Sequence, residues 1–299
     1  MSEPALRTVL VATTLSPESD AVVATAAAWA RAAGAKLHVL HAMLLPLEYD
    51  DLPGASWRSP DAYGLLESTL RRELDAQLAR LSIPTEALAA SEIVDGTPWR
   101  VIRGRAEDVA ADLVVVGATD RGDLLDRLLG STAAHVLAGA PQPVLVVRGQ
   151  TAALPARVLA PVDLSPLSGQ AFDDGCALLG AVAGAAPPQL RALFVLEPRQ
   201  RLGGTQFSPE QMDRFAAEEL GRFAAAHGAA ARQAGLAIDT AVTAGEPRDA
   251  VPAAAAAWPA DLVLIGTHGY TGWDRRVFGS VASEVMQRSP CSVLVVRPR

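Results

Sequence analysis

Lysine is almost missing from this sequence. Lys36 is the only one among 26 basic side chains, which excludes a phosphate-binding G-x-x-x-x-G-K-[ST] loop and with it the P-loop nucleotide triphosphatases. Cysteine is nearly as scarce: Cys176 and Cys291 lie in apolar contexts with no C-x-x-C or Cys/His ligand spacing, so both read as plain buried residues. No apolar run approaches the ~18 residues of a membrane span. The N-terminus, MSEPALRTVLVATTL, has neither a basic n-region nor a signal-length apolar stretch. These absences lead to the expectation of a soluble cytoplasmic protein with no membrane partner. Aromatics make up 5% of a chain that is 50% hydrophobic. Its apolarity therefore comes from Ala, Val and Leu, which suits helices packed tightly on buried parallel strands.

Excess positive charge is also lacking. The net charge is −7, and residues 1–150 carry 13 basic and 19 acidic side chains, so neither half has the footprint of a nucleic-acid binder. No Ser/His/Asp spacing, H-x-x-x-H pair or G-x-S-x-G elbow is present. His38 and His41 alternate on one strand-like run, while His135 and His227 fall in helical stretches; all four read as structural or surface residues. His268, inside the second half's glycine-rich loop, reads as an exposed loop histidine, with contact to a phosphate or an acid–base role as the alternative.

What the chain does contain is a duplication. RTVLVATTLSP, from Arg7 to Pro17, is echoed by RVLAPVDLSP, from Arg157 to Pro166, so that Thr14 and Ser16 align with Asp163 and Ser165 at an offset of 149 residues. Asp112 and Gly117 of DLVVVG align with Asp261 and Gly266 of DLVLIG at the same offset, and PQPVLVVR with PCSVLVVR. With 299 residues available, two domains are expected, 1–150 and 151–299, joined by the short seam GQTAALPA.

Each half alternates short Val-rich runs with longer helical patterns. The strand candidates are Val9 to Ala12, Leu37 to Ala42, Ala87 to Val94, Leu113 to Val116 and Val144 to Val147, then Val158 to Val162, Leu190 to Val195, Ala237 to Thr243, Leu262 to Ile265 and Val293 to Val296. Glu210 to Ala234 reads as one long helix. The pattern predicts an α/β class, two tandem doubly wound domains with parallel sheets and helices on both faces.

Open parallel sheets bind ligands beyond the carboxyl ends of their strands, where the strand order reverses. Two polar motifs of the second half fall there: Asp163-Leu164-Ser165 after its first strand, and GTHGYTGWDRRVFGS, Gly266 to Ser280, after its fourth. Gly266 and Gly269 would let a backbone approach a bulky anion closely. Gly279 and Ser280 open a helix whose first N–H groups and dipole favour negative charge, with Arg275 and Arg276 as further cationic contacts. Taken singly, the loop also reads as a surface turn and Asp163 as a helix cap. Their joint placement around one crevice favours a phosphate-bearing ligand.

These residues resemble the universal stress protein family in its tandem form, over essentially the whole chain, twice. Gly266-x-x-Gly269, nine residues and then Gly279-Ser280 matches the family's ATP-binding pattern G-x-x-G-x9-G-[ST]; PVDLSP, DLVLIG and SPCSVLVVR are similar to family sequence as well. The resemblance implies a five-stranded parallel sheet per half in the order 3-2-1-4-5, binding of ATP or a related adenine nucleotide, and pairing through the last strand. The two halves would then form a pseudo-dimer inside one chain, with a homodimer as a further state. Carried over by position, Pro161, Val162 and Asp163 would line the adenosine side, with Asp163 taking the ribose hydroxyls or a metal. Val195 would meet the adenine edge, and Ile265, Gly266, Gly269, Gly279, Ser280 and Val281 would wrap ribose and phosphates. A magnesium ion would accompany the nucleotide's charge.

The first half departs at both decisive positions. Thr14 replaces Asp163, and Asp120 replaces Gly269, adding a Cβ and a negative charge beside the phosphate path. Two like charges ~4 Å apart repel by ~4 kcal/mol at an effective dielectric of ~20. The first half is therefore expected to bind nucleotide poorly or not at all. Nothing in the sequence identifies a general base, so a regulatory stress-response module with slow or no turnover is the expectation; a slow ATPase or phosphotransferase and a nucleotide-independent scaffold are the alternatives.

Overall fold

The computed structural model describes residues 6–44, 60–118, 129–149, 154–184, 187–197, 208–267 and 279–298, and in them the duplication becomes one continuous sheet. The first half supplies β1 (Thr8–Ala12), β2 (Lys36–Met43), β3 (Leu88–Asp95), β4 (Leu113–Gly117) and β5 (Val144–Val147). The second supplies β6 (Arg157–Val162), β7 (Gln189–Leu196), β8 (Ile238–Ala244), β9 (Leu262–Gly266) and β10 (Ser292–Val296). The strand order is β3-β2-β1-β4-β5-β10-β9-β6-β7-β8. Each half is thus parallel in the expected order 3-2-1-4-5, and every strand falls where its apolar run is read in the sequence.

The halves meet edge to edge. β5 and β10 pair antiparallel, Leu145 opposite Leu294, so each last strand covers the other's open ladder and neither edge is left for aggregation. The join is reinforced above and below the sheet. One apolar layer contains Trp29 and Val115 together with Leu179 and Leu264; the other contains Val114 and Val136 together with Val263 and Met286. Both layers run across the seam, which is why the strands need apolar residues on both faces: Leu113 to Val116 are all buried. The expected division between residues 150 and 151 falls at 150–153, outside the described residues.

The helices are α1 (Asp20–Ala33), α2 (Pro60–Arg80), α3 (Pro98–Asp108) and α4 (Ser131–Gly139) in the first half. The second half has α5 (Pro166–Val182), α6 (Pro209–Ala226), α7 (Ala229–Gln233), α8 (Pro247–Ala257) and α9 (Ser280–Arg288). Several begin with proline in the first turn, where the missing N–H costs nothing. α6 opens with a capping box, Ser208 and Gln211 each satisfying the other's backbone N–H.

The expectation of a single helix from Glu210 to Ala234 is corrected. The chain breaks between α6 and α7, where Gly228 turns left-handed at φ 83°. Asp173 of α5 supplies the reason, accepting from the Gly228 N–H at 2.5 Å and facing Nδ1 of His227 at 2.8 Å. Gly169, one turn earlier, makes room, since a Cβ there would lie 2.3 Å from the His227 ring.

Asp112 and Asp261 turn out to be staples at the other end of the sheet. Asp112 Oδ2 accepts the N–H groups of Arg7 and Thr8 at 2.8 and 2.9 Å. Asp261 Oδ2 accepts those of Ala156 and Arg157 at 3.0 and 2.8 Å. Each carboxylate thereby fixes the start of its half's first strand against the fourth. Of the cysteines, Cys176 is buried as expected and its thiol is pushed up to about 12 by desolvation. Cys291 is only partly buried, because it sits in the turn entering β10.

Candidate nucleotide-binding cleft

Strands β6 and β9 are parallel neighbours, Val158 opposite Leu262 and Leu159 opposite Val263, so the segments leaving their carboxyl ends border one crevice at the reversal of strand order. The segment after β6 is tightly bent. Leu164 adopts φ 62° and its counterpart Leu15 φ 64°, a left-handed conformation rare for leucine and kept in both halves by local hydrogen bonds. Asp163 Oδ1 accepts the Ser165 N–H at 3.0 Å, and the Asp163 N–H donates to Ser168 Oγ at 3.3 Å. The cap of α5 is Ser165, whose Oγ accepts the Ser168 N–H at 3.1 Å. Asp163 is therefore not the helix cap; it closes an Asx turn that aims the loop back over the sheet.

The segment after β9 leaves and returns at one point. Thr267 N donates to Val296 O at 3.1 Å, and Gly279 N donates to Thr267 O at 2.9 Å. The first half closes its loop identically, Gly130 N to Ala118 O at 2.6 Å. Glycine at 279 answers a close approach rather than a special conformation. Its φ is −58°, but a Cβ would lie 3.1 Å from the Thr267 carbonyl oxygen. α9 then begins with no side-chain cap. Its first-turn N–H groups are the donors that the resemblance assigns to phosphate.

The crevice brings together Pro161, Val162 and Asp163 on one side with Ile265, Gly266, Gly279, Ser280 and Val281 on the other. Val162, Val195 and Ile265 are buried, Ser280 is exposed, and Asp163, Gly266 and Val281 lie between. Val195 sits on β7 two residues beyond Leu193, the partner of Pro161, and belongs to the same apolar layer as Ile265. Gly269, His268, Arg275, Arg276 and Asp120 lie outside the described residues. The chemistry of these described residues suits a nucleotide: apolar walls, one carboxylate acceptor, and a helix N-terminus that has no side-chain cap. Among the described residues, no group of three or more His, Cys, Asp or Glu is placed to hold a metal ion by itself, and no helix is long and apolar enough to cross a membrane.

Sequence reading missed the support behind this helix. Arg148 of the first half donates to the Met286 carbonyl near the C-terminus of α9, while Arg297 donates to Leu137 and Ala138 at the end of α4, at 2.6 and 3.0 Å. The signal was present as matched arginines at the ends of two similar strands. What it lacked was the knowledge that those strands pair with each other. A groove of about 520 Å³ lies elsewhere, beside the start of β2 and lined by Ala27, Arg31, Leu81 and Ile83. At the 149-residue offset Arg31 stands where the second half has Gly180, against which Ala234 packs so closely that a Cβ would come within 2.7 Å.

Comparison with known proteins agrees with the duplicated layout. The model of the universal stress protein family matches residues 5–148 and again 156–297. The chain is 28% identical over 301 residues to a universal stress protein of Mycobacterium tuberculosis, covering 94% of each. It is 32% identical over 151 residues to one of Thermus aquaticus, covering 48% of this chain and 98% of that one. Among solved structures, a universal stress protein from Archaeoglobus fulgidus superposes with a TM-score of 0.65 at 20% identity, covering 97% of this chain and 96% of that one. At that identity the likeness is one of fold.

Proposed function

Since the chain belongs to the universal stress protein family, carried twice in tandem, we propose that it is an ATP-binding stress-response module of the cytoplasm, with one competent adenine-nucleotide site per chain, in the second half. The observation that carries this reading is the second half's crevice. Asp163, turned over the sheet by its bond from Ser165, and the uncapped start of α9 at Gly279 follow adjacent strands. An anion at a helix N-terminus gains from both the free N–H groups and the dipole. The carboxylate of Asp163 is an acceptor for ribose hydroxyls or a place for the magnesium that ATP brings. The first half has Thr14 in place of Asp163 and Asp120 in place of Gly269, and on this reading it serves as the edge-to-edge partner.

The sequence identifies no general base, and on this reading the role is binding with slow or no turnover. Calorimetric titration of ATP into the full chain tests this, alongside Asp163→Thr and Gly269→Asp, which import the first half's residues. One site per chain, lost in both variants, is expected. Two sites would overturn the asymmetry. Equal and negligible binding by all three proteins would leave a nucleotide-independent scaffold. Turnover that Asp163→Thr abolishes without changing affinity would make the protein an ATPase or phosphotransferase.

A further inference from the structure

The first half keeps a crevice at the corresponding place but lines it with different chemistry. A cavity of about 180 Å³ opens beyond the carboxyl ends of β1 and β4, bounded by Thr14, Glu18, His41 and Thr132. At the 149-residue offset, Glu18 replaces Leu167 and Thr132 replaces Val281. By strand register His41 replaces Phe194, because Ala12 pairs with Leu40 as Pro161 pairs with Leu193. Three apolar positions of the second half have thus become a carboxylate, a hydroxyl and an imidazole. The floor beneath them is rigidly satisfied: buried Thr13 donates to Gln77 Oε1 at 2.8 Å, and Gln77 Nε2 donates to Ser19 Oγ at 3.0 Å.

The lining also has a definite polarity. His41 Nδ1 lies 2.9 Å from the Thr13 carbonyl. A carbonyl only accepts, so Nδ1 carries the proton, and in the tautomer this contact selects Nε2 is an acceptor. Glu18 is held below the usual carboxylate range chiefly by a hydrogen bond from Ser16, so it too is an acceptor. The opposite wall is the start of α4, where Gly130 provides no side-chain cap and the first-turn N–H groups are donors.

Hydroxyl groups can donate to the first wall and accept from the second. A phosphate would meet the Glu18 charge, and a cation would meet the positive end of the helix. We propose that this crevice is a second, separate binding site, selective for an uncharged small molecule with adjacent hydroxyls, such as the ribose of an unphosphorylated nucleoside or a free sugar. It is independent of what occupies the cleft of the second half.

The test is titration of the full chain with adenosine, ribose and ATP by calorimetry, repeated on His41→Phe and Glu18→Gln. Adenosine, ribose or both should bind the wild type and weaken at least tenfold in His41→Phe, with the ATP isotherm unmoved. Binding of both marks the diol as the determinant; binding of adenosine alone marks a nucleoside. Glu18 is exposed, so Glu18→Gln reports on the site even if His41→Phe fails to fold, and it should weaken the same ligand. Absence of binding by both ligands, binding insensitive to both substitutions, or ATP competing equally for this site would overturn the proposal. Failure of the ATP reading would register separately, in the response to Asp163→Thr.

Discussion

Arg297, at the end of the last strand, donates through Nη2 to the carbonyl of Leu137 at 2.6 Å, and so ties the end of the second half to a helix of the first. Arg148 makes the reciprocal bond to Met286, and its backbone N–H reaches Ser292 Oγ at 3.0 Å. A cation at a helix C-terminus satisfies orphan carbonyls and complements the dipole. Here the cation always comes from the opposite half, so the antiparallel join and the helices behind the two crevices support one another.

Arg148→Ala and Arg297→Ala should therefore each lower stability by about 1–3 kcal/mol, the cost of losing a charged hydrogen bond in a partly buried place. They should differ in their effect on ligand. Arg148 backs α9, so its loss should weaken ATP by up to about fivefold, on the order of 1 kcal/mol of helix-dipole support. Arg297 backs α4 and should leave ATP affinity unchanged. Urea unfolding and calorimetry on the two variants measure both effects.

Much of this arrangement was legible in the sequence. Short apolar runs marked all ten strands, most plainly where a strand is buried on both faces, as β4, β5 and β9 are, and more faintly at the edge strands β3 and β8, none of whose residues is fully buried; the 149-residue echo marked the two halves. The resemblance, more than periodicity, supplied the order of the strands. The break at Gly228 was not legible: α6 and α7 are helical on both sides, and what interrupts them is Asp173, some 55 residues away in sequence. Nor was the role of His41. Its alternation with His38 matches an ordinary strand, and only the register against Ala12 and Thr13 shows that it faces the crevice while His38 is pushed below the usual histidine range, chiefly by burial.

Gly279→Ala tests whether the base of the loop is as tight as it looks. The added methyl would lie 3.1 Å from the Thr267 carbonyl, so the loop must yield by a few tenths of an ångström. No backbone strain is added, because φ is −58°. A stability loss of about 1 kcal/mol or less is expected, with ATP affinity reduced severalfold as the helix N-terminus shifts. Unaltered affinity would show that phosphate does not approach α9.

Gly169 and His227 should behave as a coupled pair. Gly169→Ala places a Cβ 2.3 Å from the ring and must drive it from Asp173, an overpacking that costs about 1–3 kcal/mol. His227→Ala alone loses the contact at 2.8 Å to Asp173 together with the ring packing on Phe223. With the ring gone the methyl at position 169 has space. The double variant should be more stable than the sum of the single losses predicts, by about 1 kcal/mol or more in a double-mutant cycle on urea unfolding. Strict additivity would mean that the ring already leaves its place.

The first half treats the corresponding position differently, and pH should expose the difference. Asp20 stands where the second half has Gly169. It receives Gln77 Nε2 at 2.8 Å and two bonds from Arg80, also at 2.8 Å. The Arg80 bond is the largest cause of its lowered pKa, ahead of Gln77. A carboxylate with a lowered folded pKa contributes its stability above the unfolded value, near 4, and loses it as pH falls through the folded one. Asp20→Asn should therefore be less stable than wild type at about pH 7, and the gap should close as pH falls below about 4. Gln77→Leu should behave otherwise. It also removes a donor from Asp20, so part of its loss fades in acid, but the bonds of Gln77 to Thr13 and Ser19 are lost at every pH, at a cost of about 1–3 kcal/mol. Urea midpoints for the two variants across the acid range separate these behaviours. A gap for Asp20→Asn that persists unchanged into acid would show that the ion pair contributes nothing.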